Sequence, residues 1–372
     1  MKVTFPHMGN LHIPVATLLR DLSLEVVVPP PTNQRSLSLG VRHSPESACF
    51  PFKLNIGNFI EAHEKGADTI LMAGGVGPCR LGYYAQVQKE ILRDLGYDFE
   101  YIILEPPRGH IGELWEKIRR LNGGVTVKQV IGALRLAWEK VLALDAVEKA
   151  LHHLRPRVVF PDQATAVYRR SLEALDKASG IARIRAIKVH TLDELESLPR
   201  RGGPKPLRVA LVGEIYTVLE PFANLSIEER LGKMGVEVCR ALFLGDWIRS
   251  NLLLDALRLK GGMDVKEAAK PYLNRFVGGE GQESVGYAVL SARRGYDGVL
   301  HIAPFTCMPE IVAESILPAV SRDYNIPSMT LMLDEHSAET GIITRLEAFV
   351  DLLARRRGQR KEMEQLERIP GD

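Results

Sequence analysis

A short pattern occurs twice in this chain of 372 residues, each time at nearly the same distance before a cysteine. Gly66-Ala67-Asp68-Thr69-Ile70-Leu71 leads to Cys79, thirteen residues after the glycine. Gly295-Tyr296-Asp297-Gly298-Val299-Leu300 leads to Cys307, twelve residues after it. Each copy reads as a helix end, a buried strand and a loop carrying a thiol. Gly-x-Asp between helix and strand is common in α/β proteins, but the shared cysteine position is not. The repeat predicts two related α/β domains, each with one thiol at the carboxyl edge of its sheet, where open α/β folds bind ligands.

The surrounding pattern agrees. Val3–Phe5, Leu24–Val28, Thr69–Ala73 and Tyr101–Leu104 read as strands. Helices are expected at Leu11–Leu22, around Phe52, Ile56, Phe59 and Ile60, and around Tyr84, Val87 and Ile91. Thr32 to Cys49 reads as a polar loop. Residues 106–200 are Leu-, Arg- and Glu-rich with few strand signals, which predicts a mostly helical segment. His152 and His153 are expected on an exposed helix face. Leu198–Pro206 reads as a linker. Strands then restart at Leu207–Val212, Val236–Cys239, Gly298–Ala303 and Ser328–Leu333, and a last helix carries Ile343, Leu346, Val350 and Leu353 on one face. The charged tail from Arg355 reads as a solvated helix end. The expected architecture is α/β: two Rossmann-like (flavodoxin-like) parallel-sheet domains, 1–105 and 207–372, with the helical segment 106–200 between them.

Charge excludes one class of function. Lys and Arg total 48 against 46 Asp and Glu, a net charge of +2, so there is no basic field for nucleic acid. No apolar run reaches the ~20 residues of a membrane-spanning helix, and the first residues lack the apolar region of a secretory signal. A cytoplasmic location is expected, where four cysteines are not disulfides.

Three of those cysteines sit in loops just before helices: Cys49, Cys79 and Cys307. A helix start favours a thiolate or a bound anion. Cys239 lies in an apolar strand, where cysteine acts as a small hydrophobe. No Cys-x-x-Cys pair marks a zinc ribbon or ferredoxin, and spacing alone leaves inert thiols and a metal site both open. There is no P-loop and no complete dinucleotide fingerprint. Asp334-Glu335-His336 follow a strand, so Glu335 or His336 is a candidate for proton transfer, against the plainer reading of a polar strand end with a helix cap at Ser337. Glu214, after its own strand, carries the same two readings.

Longer motifs add a resemblance. Ser44-Pro45-Glu46-Ser47-Ala48-Cys49-Phe50-Pro51-Phe52-Lys53 resembles the first cluster-ligand motif of the 2-hydroxyacyl-CoA dehydratase/benzoyl-CoA reductase superfamily. It is closest to the branch associated with acyl-CoA dehydratase activases. Gly74-Gly75-Val76-Gly77-Pro78-Cys79-Arg80-Leu81-Gly82 is similar to that branch's second motif, and Phe305-Thr306-Cys307-Met308-Pro309-Glu310 to its third. Leu333 to Gly341 resembles its C-terminal signature.

The resemblance implies a [4Fe–4S] cluster between the two domains, held by Cys49, Cys79 and Cys307, with one iron lacking a cysteine ligand. It also implies an ATP-dependent iron–sulfur activator of the actin/hexokinase-like fold as partner, and a related second subunit or a homodimer. The expected activity is reduction of a small molecule or thioester with low-potential electrons, or onward transfer of the electron. The alternatives are a true 2-hydroxyacyl-CoA dehydratase subunit, with Glu335 or His336 moving protons, and a non-catalytic cluster-binding partner of the activator.

Overall fold

The computed structural model describes residues 1–75, 78–104, 124–249 and 263–366. The expected α/β architecture is present. The first half runs β1 (Lys2–Thr4), α1 (His12–Asp21), β2 (Glu25–Val26), α2 (Gln34–His43), α3 (Phe50–Glu64), β3 (Thr69–Ala73), α4 (Leu81–Asp94) and β4 (Glu100–Leu104). Three helices follow: α5 (Val127–Leu154), α6 (Pro161–Lys177) and α7 (Ile181–Ser197). The second half runs β5 (Leu207–Gly213), α8 (Ile215–Leu219), α9 (Ile227–Lys233), β6 (Val236–Arg240), α10 (Leu244–Ile248), α11 (Met263–Ala269), α12 (Gly281–Arg293), β7 (Gly298–Pro304), α13 (Met308–Asp323), β8 (Ser328–Leu333) and α14 (Glu339–Leu366). Both sheets are all-parallel, with orders β2-β1-β3-β4 and β6-β5-β7-β8. Within each half this is one topology, second-first-third-fourth.

The repeated Gly-x-Asp has the same physical job in both halves. The glycine ends a helix: Ala67 N–H donates to the Ala62 carbonyl and Tyr296 N–H to the Ser291 carbonyl, each 3.0 Å. The aspartate then grips the first strand. The Lys2 amide donates to Asp68 Oδ1 at 2.7 Å, and the Arg208 amide to Asp297 Oδ2 at 2.8 Å. In return the Asp68 and Asp297 amides donate to the Lys2 and Arg208 carbonyls. The third strand is thereby set in register on the first, Val3 opposite Thr69 and Val209 opposite Gly298.

Three expectations are corrected. The loop expected at 32–49 contains α2, capped by Asn33 and Ser36 in a reciprocal box. Its buried face is Ser36, Leu37 and Gly40, with no apolar stripe to announce it. A Cβ on Gly40 would fall 1.8 Å from the Lys53 carbonyl, and one on Gly57 1.8 Å from the Ser36 carbonyl, so two glycines let α2 and α3 touch backbone to backbone. His152 is buried rather than exposed, 3.3 Å from Glu228; His153 is exposed as expected. The charged tail is not simply solvated. Arg357 donates Nε to Asp297 Oδ1 at 2.9 Å and bonds the Lys205 and Pro206 carbonyls, pinning α14 to the repeat aspartate and the linker.

The helical segment ties the halves together. The part expected at 106–123 lies outside the described residues. In the rest, Ala143 and Leu144 of α5 pack with Ile13 of α1, while Glu148 pairs with Arg240 at the end of β6. Arg240, 3% exposed at its side chain, also meets Glu228 at 3.2 Å. A second seam joins the sheet domains directly: Leu37, Phe50 and Leu54 share a core with Tyr216 and Ala223. Glu220 accepts from the Gly9 amide at 2.7 Å and bonds His7 at 3.0 Å, both buried. Among the described residues no helix is long and apolar enough to cross a membrane.

The buried ion network makes a stability prediction. Burial would raise the Glu228 carboxyl, but Arg240, His152 and Arg155 outweigh it and bring it down from 4.5 to about 2. A carboxyl lowered in the folded state stabilises above its unfolded pKa and loses that contribution as pH falls through its folded value. Glu228→Gln is expected to cost about 1–3 kcal/mol at neutral pH and to flatten the acid limb of unfolding. Arg240→Ala, which strands two carboxylates, should cost more, about 3–5 kcal/mol. Urea titrations across the pH range check both.

Candidate functional site

The repeat places each thiol where its strand ends. Cys79 follows β3 and sits just before α4, and Cys307 follows β7 as the N-cap of α13. Cys49 is the N-cap of α3, whose first turn carries Pro51. The two carboxyl edges meet, and contacts between them draw these loops together. Thr306 Oγ1 donates to the Ser47 carbonyl at 3.3 Å, and Arg80 donates to the same carbonyl at 2.8 Å. Gly278 lies against Cys79: a Cβ there would stand 2.7 Å from the Cys79 nitrogen, and its φ of +89° suits glycine. Lys53, one turn after Cys49, forms a buried ion pair with Glu335 of the other half.

Cys49 and Cys307 are buried, 8% and 9% exposed, and Cys79 is partly buried. Burial pushes the Cys49 thiol up to about 11; the Tyr84 hydroxyl, in contact with its sulfur, opposes this, while the charges of Glu214 and Cys79 add to it. Cys79 is raised by burial and by Glu280, Glu214 and Glu310. Cys307 is raised further, by burial and then by Glu214, Glu310 and Cys49. The mutual action of these groups places the three thiols in one electrostatic neighbourhood. Cys239 stands apart on β6, where it bonds Tyr296 and Arg208.

Beside the thiols lies an acid cluster the sequence reading missed, apart from Glu214. Glu214 caps α8, accepting from the Tyr216 and Thr217 amides at 2.9 Å and from the Thr217 hydroxyl at 2.8 Å, yet burial keeps its carboxyl raised. Glu280 precedes α12, and burial with the charges of Glu214, Glu310 and Glu283 holds it far above the ordinary carboxyl range. Glu310, fully buried in the first turn of α13, accepts from Ser284 Oγ at 2.9 Å and bonds His301 Nε2 at 2.8 Å, both through Oε2. Its Oε1 is buried with no hydrogen-bond partner among the described residues. One signal for Glu280 was available: it sits in Val277-Gly278-Gly279-Glu280-Gly281, a glycine-rich loop before a helix.

The two residues singled out for proton transfer lie in the turn after β8. Glu335 is committed to Lys53. His336 is exposed, its amide bonded to Asp334 in a turn closed by Ser337. Val76 and Gly77 of the glycine-rich motif lie outside the described residues.

Among the described residues no three His, Cys, Asp or Glu side chains are grouped as ligands of a single metal ion. A cubane asks for something different, since its irons sit at separate corners and each takes one thiolate. Three thiols from three loops, two of them buried and Cys49 acting with each of the other two, suit that donor set. No family model matches the chain, and no curated protein matches it.

The thiols should differ in reactivity, because alkylation needs an accessible thiolate. In metal-free protein, iodoacetamide is expected to label Cys79 at least about tenfold faster than Cys49 or Cys307. Peptide mass mapping over time reads the order. Equal rates for the three would contradict the burial described above.

Proposed function

We propose that the chain is an iron–sulfur protein of the 2-hydroxyacyl-CoA dehydratase type. In this reading Cys49, Cys79 and Cys307 hold a [4Fe–4S] cluster with one iron free of cysteine. An ATP-dependent activator of the actin/hexokinase-like fold reduces it, and the electron goes on to a small molecule or a thioester. The observation that carries the reading is the meeting of three loop thiols, drawn from both sheets, at the joined carboxyl edges. It supports the motif resemblance, which calls for three thiols drawn from both domains.

When bound, such a cluster supplies single electrons at low potential. The protein's own groups supply the rest. The Tyr84 hydroxyl contacts the Cys49 sulfur and, by donating to it, would favour its thiolate and tune the site. Burial of Cys49 and Cys307 keeps water from their sulfurs, while partly buried Cys79 marks the side open to solvent and partners. Glu280, whose carboxyl is raised by burial and by Glu214 and Glu310, is the group suited to give a proton there. Glu335, neutralised by Lys53, holds the two halves together instead.

Anaerobic purification with iron and acid-labile sulfide analysis tests the reading. About four irons and four sulfides per chain are expected, lost in Cys49→Ala, Cys79→Ala and Cys307→Ala and kept in Cys239→Ala. A protein that stays free of iron after anaerobic reconstitution would sink it.

A further inference from the structure

The acid cluster contains a fully buried carboxyl with an oxygen that the folded chain leaves without a use. Glu310 is 0% exposed, as is His301. Both hydrogen bonds to its carboxyl, from Ser284 and His301, converge on Oε2. Oε1 is buried and bonded to nothing among the described residues. A buried carboxyl oxygen without a donor is expensive and needs an explanation, a bound ion being one. His301 is itself fixed, its Nδ1 3.2 Å from Thr330 Oγ1 on the neighbouring strand, so the orientation of Glu310 is set from behind.

Glu310 stands close to the thiol site in the chain. Cys307 and Glu310 are three residues apart at the start of α13, a spacing that puts both on one helix face. The Glu310 charge acts on both Cys307 and Cys79. Its acidic neighbours are otherwise engaged. Both Glu214 oxygens are taken by the α8 cap. Burial and neighbouring carboxyls raise Glu280 well above the ordinary carboxyl range, against the charged form a ligand needs. Glu283 also has a bare Oε2, but it faces Lys266 at 3.6 Å through Oε1 and is not among the main charges acting on the thiols. Glu335 is paired with Lys53.

We infer that Glu310 Oε1 is the non-cysteine ligand of the open iron, so that the site is three thiolates and one carboxylate with His301 as positioning residue. This rests on the cluster reading above and adds the fourth donor to it. The bond replaces a solvent ligand and changes no oxidation state. A carboxylate there labels one iron as different from the other three and holds it against loss.

The test separates the two claims. Wild type, Glu310→Gln and Glu310→Asp are reconstituted anaerobically, iron and sulfide are counted, and each is treated with ferricyanide while EPR follows conversion of four-iron to three-iron cluster. All three proteins are expected to load about four irons, since the cysteines are intact. Glu310→Gln should lose its unique iron at least about tenfold faster than wild type. Glu310→Asp keeps the charge but is one methylene short, and should fall between; it also carries the test if the Gln variant does not fold. A purely structural role would lower the melting temperature and leave the rate of three-iron conversion unchanged. Equal conversion rates in all folded proteins overturn the inference and leave the cluster standing. A wild type that takes up no iron overturns both.

Discussion

Two parallel sheets in this chain meet at their carboxyl edges, and the buried pair of Lys53 and Glu335 stands at that meeting. Lys53 lies one turn beyond Cys49 on α3, and Glu335 lies just past the last strand of the other half. Such a pair adds little net stability over an apolar contact, but separating it strands a buried charge, at about 3–5 kcal/mol. The His7–Glu220 contact and the shared core of Phe50, Leu54 and Tyr216 oppose separation at the same seam. Everything proposed for the site depends on that closure, because no single half supplies three thiols.

Closure has an electrostatic consequence. It brings thiols and carboxyls, all groups that become anions, into a region largely shut off from water. Burial and mutual repulsion together raise the acids Glu214 and Glu280 and the three thiols. By itself such a site crowds groups that resist becoming anions. A cationic iron core would reverse the balance, since it would reward deprotonated sulfur and an anionic oxygen. The same crowding suits a catalyst that must deliver a proton beside an electron.

Much of the fold was legible because its signals are local. β-branched runs bounded by glycine and proline gave the strands to within two residues at each end, and the Gly-x-Asp repeat gave two equivalent sheets. The structure adds why the aspartate recurs: Asp68 and Asp297 tie the third strand to the first. Cys49, Cys79 and Cys307 were legible as loop thiols before helices. What escaped was non-local or small. The α2 helix packs through Gly40 and Ser36, which leave no apolar periodicity. His152 and Arg357 are paired with residues distant in sequence, Glu228 and Asp297, and nothing near them announces it. Glu280 and Glu310 acquire their character from burial against each other, a property that exists only once α12 and α13 are packed.

The most direct test of the central claim is Mössbauer spectroscopy of protein purified anaerobically from cells grown on 57Fe. Three thiolates and a different fourth donor make one iron distinct, so two quadrupole doublets in a ratio of about 3:1 are predicted. A single mononuclear iron signal, or no bound iron, would contradict the account and leave the joined sheet edges as a site for some other ligand.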